Sequence, residues 1–191
     1  MKKIVLASTS IYRQAQLKTL GIPFIAEKPL IDEENEKDLS LNPKDLALKL
    51  SFLKAQSLAK PNQVTIGGDQ LVSFENQILG KPGSIENAIQ QITKMQNQTH
   101  ELITALTIFD GPDNFKQVLN ITKMKLKKLS SEQIKKYIEL DNPVDCAGSY
   151  KIEKHGVQIM EAIETSDFTA IQGLPLLELS KVLAQMGIAI P

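Results

Sequence analysis

The sequence predicts a single α/β unit with a mixed sheet, and three observations carry that expectation. Short apolar runs such as residues 3–7 read as buried strands, and helical patterns with capping residues fall between them. The turn Asp110-Gly111-Pro112-Asp113 joins two β-rich runs as an antiparallel hairpin. No internal repeat, low-complexity tract or linker rich in Pro, Gly or Ser divides the chain, so residues 1–191 read as one domain.

The elements follow in order. Residues 3–7 form a strand, Ser8-Thr9-Ser10 a polar turn, and a helical pattern runs through Leu17 and Leu20 to a stop at Gly21. Asn42-Pro43 opens a second helix, since proline's missing N–H costs little in a first turn. Its apolar stripe is Leu46, Leu50, Leu53 and Leu58, with Lys54 on a neighbouring face. Val64-Thr65-Ile66 reads as a strand ended by Gly67-Gly68, and residues 71–74 continue extended towards Gly80-Lys81-Pro82, which leaves Asp69 and Gln70 within or at the end of a strand. Ser84 caps a third helix from Ile85 to Met95, and residues 102–109 lead into the hairpin. Ser130 with Gln133 fits a capping box for the helix holding Ile134, Tyr137 and Ile138. Residues 157–163 read as a strand, and Pro175 starts a last helix that ends before Gly187.

Lys plus Arg and Asp plus Glu both number 22, so the net charge is zero. That argues against a protein that coats nucleic acid or adheres to membranes through positive charge. The basic side chains are 21 lysines and the single Arg13, so only one residue offers a planar, five-donor fork. Apolar content of 42 % is ordinary for a soluble protein with one sizeable core. The lone Cys146 forms no internal disulfide, the apolar start is too short for a signal peptide, and no run approaches about eighteen apolar residues. A cytoplasmic protein without membrane or nucleic-acid partners is expected. The run Lys123-Met124-Lys125-Leu126-Lys127 alternates with period two and reads as a strand with one solvated face.

Several residues could carry chemistry. Ser8, Thr9 and Ser10 feed a helix at Arg13, where hydroxyls, free N–H groups and the positive helix end favour phosphate. The plainer alternative is that Ser10 caps the helix and Arg13 is a solvated first-turn residue. Gly80-Lys81-Pro82 is not a Walker A loop, because position 75 is Glu and position 82 is Pro. Lys81 remains either a point charge for phosphate or an exposed turn lysine. Asp69, behind two glycines, lies where open α/β sheets present catalytic groups, and Asp32-Glu33-Glu34 adds carboxylates able to share a divalent metal or simply to be solvated. His100, His155 and Cys146 lack the spacing or partners of a metal site or a catalytic thiol and read as structural.

Taken together, five segments resemble the Maf family of nucleoside triphosphate pyrophosphatases: Leu6-Ala7-Ser8-Thr9-Ser10-Ile11-Tyr12-Arg13, Leu53-Lys54-Ala55, Gly68-Asp69-Gln70, Gly80-Lys81-Pro82 and Gly173-Leu174-Pro175. They occur in family order across nearly the whole chain. The resemblance implies a two-lobed, mixed-sheet α/β fold of the Maf/ITPase-like kind, with a cleft between the lobes. It assigns catalytic roles to Asp69, Glu33, Lys54 and Lys81, substrate binding to Ser8, Ser10, Tyr12, Arg13, Gln70 and Glu153, and a divalent cation, Mg²⁺ or Mn²⁺, to Asp69 and Glu33. Ile11 stands where many members have Pro, and Gln14 where another basic residue is common.

Gly68-Asp69-Gln70 and the segment from Asp145 to Glu153 are similar to the branch that hydrolyses 7-methyl-GTP to 7-methyl-GMP and diphosphate. A carboxylate at Glu153 suits the N1–H and N2–H₂ donors of guanine. N7 methylation makes the base cationic and favours stacking on a ring such as Tyr12. The resemblance also implies a nucleotide as the partner and a homodimer as the assembly. The alternatives are a dTTP/UTP or other noncanonical nucleotide pyrophosphatase of the same family, and a non-hydrolysing nucleotide-binding regulator of cell division.

Overall fold

The computed structural model describes residues 2–38 and 40–189. Its strands are β1 (Lys3–Ala7), β2 (Ile25–Glu27), β3 (Gln63–Phe74), β4 (Gln77–Leu79), β5 (Thr99–Asp110), β6 (Asn114–Leu126) and β7 (Met160–Glu164). Its α-helices are α1 (Ile11–Lys18), α2 (Glu33–Glu36), α3 (Pro43–Gln56), α4 (Ile85–Met95), α5 (Ser131–Asp141) and α6 (Leu176–Gln185). The strands form one mixed sheet in the order β2-β1-β3-β5-β6-β7, with β4 paired to β3. The chain divides into two compact units: Met1–Gln70, Thr104–Asn120 and Asp167–Pro191 make the first, and Leu71–Ile103 with Ile121–Ser166 the second.

In the first unit β1 pairs in parallel with both β2 and β3, with Leu6 opposite Ala26 and Ile66. Sitting between two parallel neighbours, β1 is buried on both faces and reads as a continuous apolar run rather than an alternating one. Ile4 and Leu6 point to a core completed by Leu17 of α1, Val64 and Ile66 of β3, Leu106 and Ile108 of β5, and Leu179 and Leu183 of α6. Val5 and Ala7 point the other way, towards Leu58 at the end of α3. The chain leaves β1 towards β2 on one side and returns through α3 to β3 on the other. The gap beyond the carboxyl end of β1, beside the continuing β3, is therefore a topological switch point, where open α/β sheets hold ligands.

Gly67-Gly68 does not end the strand, contrary to the expectation from sequence, because β3 runs unbroken from Gln63 to Phe74. Gly67 marks a close approach instead: a Cβ there would fall 2.4 Å from the Ser51 carbonyl oxygen and 2.6 Å from the Ala55 amide nitrogen of α3. Asp69 and Gln70 are thus mid-strand and are the last β3 residues of the first unit. A second correction concerns Lys54, which lies on the buried face of α3 with Leu50, Ser51 and Ala55 rather than on a neighbouring one. Leu58 lies beyond the helix end.

In the second unit α4 and α5 pack together, their starts fixed by Ser84, which accepts from the Asn87 N–H, and by the full capping box of Ser130 and Gln133. The three-residue turn 111–113 between β5 and β6 is too short for a parallel crossover, so the hairpin is antiparallel as expected. Of the expected strand 157–163 only the end is β7; Gly156–Ile159 is a 3-10 turn, because the Gly156 N–H bonds back to the Lys151 carbonyl. Lys123 and Lys127 are exposed beside buried Met124 and Leu126, as the alternation requires. Among the described residues no helix is long and apolar enough to cross a membrane.

His100 is buried, its Nε2 lies 3.0 Å from the Tyr150 hydroxyl, and its Nδ1 has no partner. Burial pushes the imidazole down to about 4. Below the unfolded value the unfolded chain binds a proton that the folded one refuses, so stability falls with pH between 6.5 and about 4. At roughly 1.4 kcal/mol per unit, lowering the pH from 6.5 to 5 costs about 2 kcal/mol through this one residue. Urea unfolding of the wild type and His100→Gln should therefore show a stability gap that narrows by about that amount over this range. Parallel profiles would remove His100 as the cause.

Candidate functional site

The switch point gathers side chains from four segments of the first unit. Ser10 caps α1, its hydroxyl accepting from the Arg13 N–H at 3.4 Å, while the Ser8 hydroxyl accepts from the Ser10 N–H at 3.1 Å. The capping alternative raised from sequence is therefore real, but each hydroxyl keeps an O–H to donate. α1 carries Tyr12 and Arg13 as half-buried residues of its first turn.

Arg13 is not a solvated surface residue. Its Nε donates to the Gly173 carbonyl at 3.2 Å, and a Cβ built on Gly68 would lie 3.5 Å from the same nitrogen. Burial pulls the guanidinium below the usual arginine value, against the opposing pull of Asp69 and Glu33. It stays protonated, as arginine does.

The centre of the site is the Lys54 ammonium. It donates to Asp69 Oδ1 at 2.7 Å and lies 2.8 Å from Glu33 Oε2, so one cation from α3 ties β3 to α2. Lys54 and Asp69 are buried, while the Glu33 side chain is 45 % exposed. Asp69 Oδ2 is buried with no hydrogen-bond partner. Burial works against the charge on Glu33, but Lys54, with smaller contributions from Lys37 and Arg13, outweighs it and holds the carboxyl below its ordinary range. α2 is only four residues long and is held in place from outside: Asp32 caps it, and Lys49 of α3 donates to the Glu36 carbonyl at 3.1 Å.

Gln70 follows Asp69 but faces a different set of partners. Its Nε2 lies 2.9 Å from Thr104 Oγ1 and donates to the Ala170 and Ile171 carbonyls at 2.9 and 3.2 Å. Gln16, Thr104 and Gly173 received no role from the sequence alone, although Gly173 sits in one of the family segments. Gly173 ends the 3-10 turn Phe168–Gln172 at a φ of 113°, a turn that the sequence pattern did not mark.

Two expected site residues belong to the second unit. Lys81 is exposed and, with Pro82, Asn87, Gln90, Gln91 and Lys94, lines an open pocket of about 300 Å³. Glu153 is exposed on a firmly pinned turn: the Lys151 N–H donates to the Tyr137 hydroxyl, the Gly156 N–H to the Lys151 carbonyl, and His155 Nδ1 lies 2.6 Å from Asp141 Oδ1. Asp145 at the start of this segment is held below the ordinary range chiefly by its hydrogen bond to Lys151. Burial, reinforced by Asp145, raises the Cys146 thiol to about 11, which leaves it protonated and inert at neutral pH.

An arginine fork beside a buried carboxylate, at the switch point of a parallel sheet, is chemistry suited to holding a phosphorylated ligand and offering it a base. The chain belongs to the Maf family: the Maf-like protein family matches residues 3–186. It is 56 % identical over 182 residues to the 7-methyl-GTP pyrophosphatase of Bdellovibrio bacteriovorus, covering 95 % of this chain and 96 % of that one. It is 38 % identical to the 7-methyl-GTP pyrophosphatase of Xanthomonas axonopodis pv. citri, over the full length of both chains. The Ham1 protein of Staphylococcus aureus shares the fold, with a TM-score of 0.53, 16 % identity, and coverage of 97 % of this chain and 100 % of that one. The α/β, mixed-sheet Maf/ITPase-like class expected from sequence is the class observed.

Breaking a buried ion pair from one side strands the other charge, whereas replacing both partners by apolar groups does not. Lys54→Met should cost about 3 kcal/mol in urea unfolding at pH 7, and Lys54→Met/Asp69→Leu clearly less than the single variant. A double variant worse than the single one would show that the pair is not the tie described.

Proposed function

We propose that the protein hydrolyses 7-methyl-GTP to 7-methyl-GMP and diphosphate in the cytoplasm. The observation that carries this reading is Asp69, one oxygen fixed by Lys54 and the other buried without a partner. A buried unpaired carboxylate oxygen costs free energy unless a ligand, a cation or a reacting water meets it. The names of the relatives that are 56 % and 38 % identical supply the reaction and the nucleotide.

In this reading Arg13 grips phosphate oxygens through its terminal amino groups, with the Ser8 and Ser10 hydroxyls and the N-terminus of α1 donating beside it. Asp69 takes a proton from a water molecule as that water attacks the α-phosphorus. A new oxygen–phosphorus bond forms, the bond from the α-phosphorus to the bridging oxygen breaks, and diphosphate leaves with that oxygen. Lys54 holds Asp69 in its ionised, oriented form, and Lys81 meets charge on the leaving group. Tyr12 stacks on the cationic base, and the Glu153 carboxylate accepts the guanine N1–H and N2–H₂ donors.

The charges on Arg13, Lys54, Glu33 and Asp69 cancel, so this cluster alone does not neutralise a triphosphate. Asp69 and Glu33 fit a hard divalent cation through the oxygens that Lys54 does not contact, since Asp69 Oδ2 is buried without a partner and Glu33 is half-exposed. Mg²⁺ or Mn²⁺ would be completed there by phosphate oxygens and water. When bound, the ion supplies positive charge to the phosphoryl oxygens.

Purified protein with Mg²⁺ or Mn²⁺ should release diphosphate from 7-methyl-GTP faster than from dTTP, UTP or GTP. Asp69→Asn should lower kcat by about 10³-fold, the scale of a lost general base, with an unchanged circular dichroism spectrum. Wild-type turnover in that variant, or another nucleotide leading the panel, would overturn the corresponding part of the reading.

A further inference from the structure

The direction of the Arg13 fork is set by a single backbone carbonyl. Nε donates to Gly173 O at 3.2 Å, and the side chain lies so close to Gly173 that a Cβ there would meet Nε at 3.2 Å and Cγ at 3.3 Å. With Nε engaged, the two terminal amino groups are what the fork presents to a ligand. A shift of that carbonyl turns the fork.

Gly173 ends the 3-10 turn Phe168–Gln172, and so short a turn is weakly held by its own bonds. Its carbonyls are fixed from outside. Gln70 Nε2 donates to Ala170 O and Ile171 O, Thr104 Oγ1 donates to Ala170 O at 3.0 Å, and Gln16 Nε2 of α1 donates to Thr169 O at 2.7 Å and Leu174 O at 3.4 Å. A carboxamide has two N–H donors, and those of Gln70 are taken up by Thr104, Ala170 and Ile171.

We propose that Gln70 is a positioning residue: it acts on bound phosphate through the Phe168–Gln172 turn, the Gly173 carbonyl and Arg13, and not by donating to the nucleotide base. This rests on Arg13 being the phosphate fork of the proposed function. Thr104, fully buried, belongs to the same support and cannot touch a ligand. The proposal gives Gln70 an indirect role in place of the direct substrate binding that the family resemblance implies for it.

Inorganic triphosphate separates the two roles because it has phosphates and no base. Its affinity is measured by calorimetry in the presence of Mg²⁺ for the wild type, Gln70→Met, Thr104→Val, Arg13→Lys and both double variants with Arg13→Lys. Gln70→Met should weaken binding about tenfold and Thr104→Val about threefold. In the Arg13→Lys background each should cost less than about twofold, since variants that act through one group are not additive. Melting temperatures, by contrast, should respond to the glutamine and threonine changes equally in both backgrounds. If Gln70→Met does not fold, Thr104→Val with its double variant carries the test. Unchanged triphosphate binding in Gln70→Met, or full additivity with Arg13→Lys, overturns the inference while leaving Arg13 as the fork. A wild type that fails to bind triphosphate overturns the fork itself, and the inference with it.

Discussion

The Lys54 ammonium, buried between two carboxylates, is the interaction on which the site depends. It joins three segments that share no hydrogen-bond ladder: α3, which carries it, β3 through Asp69, and the four-residue α2 through Glu33. A helix of one turn does not hold itself together, so α2 stays in place because Lys54 and Lys49 reach it from α3. The arrangement is a poor stability device. Desolvating the Lys54 and Asp69 charges is expensive, and well-packed apolar side chains of the same volume usually do as well or better. Asp69 Oδ2 adds a further cost, being buried without a partner. A fold that keeps such a group has a use for its second oxygen.

Local charge, not total charge, decides what this protein can bind. The chain is neutral overall, and the cluster of Arg13, Lys54, Glu33 and Asp69 is neutral too. On the proposed reading the cluster still takes an anion, because its charges are ordered in space. The carboxylates bracket Lys54, whereas Arg13 engages only one backbone carbonyl through Nε and directs its remaining donors elsewhere. Arginine is the right residue for this, since a planar fork can give one donor to the protein and still offer a pair to phosphate, which an ammonium cannot do with the same geometry. On the proposed reading, that requirement accounts for the one arginine among 22 basic residues standing at this position.

Much of the fold was legible in the sequence because its signals are local. Asn42-Pro43, Ser84, and Ser130 with Gln133 cap helices through bonds to residues two or three positions away, and the 111–113 turn is equally self-contained. What failed depended on distant partners. Gly67-Gly68 reads as a strand end, yet the strand continues: α3 crosses too closely for a side chain at Gly67, and Gly68 lies against Leu174 and Arg13. Residues 157–159 have strand-forming composition, but the Gly156 N–H is captured by Lys151 and the backbone turns first. Lys54 looked like a flank residue because periodicity treats every lysine as a solvent seeker, and only the carboxylates of two other segments make its burial tolerable. The site roles were read chiefly from the family resemblance; the residues alone left Arg13, Lys81 and Glu33 each with two readings, phosphate or metal chemistry or a solvated surface.

Glycine carries a function at this site that a larger residue could not. Gly173 adopts a left-handed φ of 113° and lies against the Arg13 stem, where a Cβ would meet Nε at 3.2 Å and Cγ at 3.3 Å and push the side chain aside. The same residue supplies the carbonyl that holds Arg13 Nε, so the backbone acts at once as the wall and the hydrogen-bond acceptor. A side-chain acceptor could replace the carbonyl only by adding rotatable bonds, and each would blur the direction of the fork. A backbone acceptor avoids that loss provided the turn is itself immobile, which explains why three side chains from α1, β3 and β5 are committed to its carbonyls. Rigidity is thus passed inward from the sheet to a single guanidinium, and preorganisation of that kind is what a phosphate site needs if binding is not to be weakened by ordering the arginine at the moment of contact.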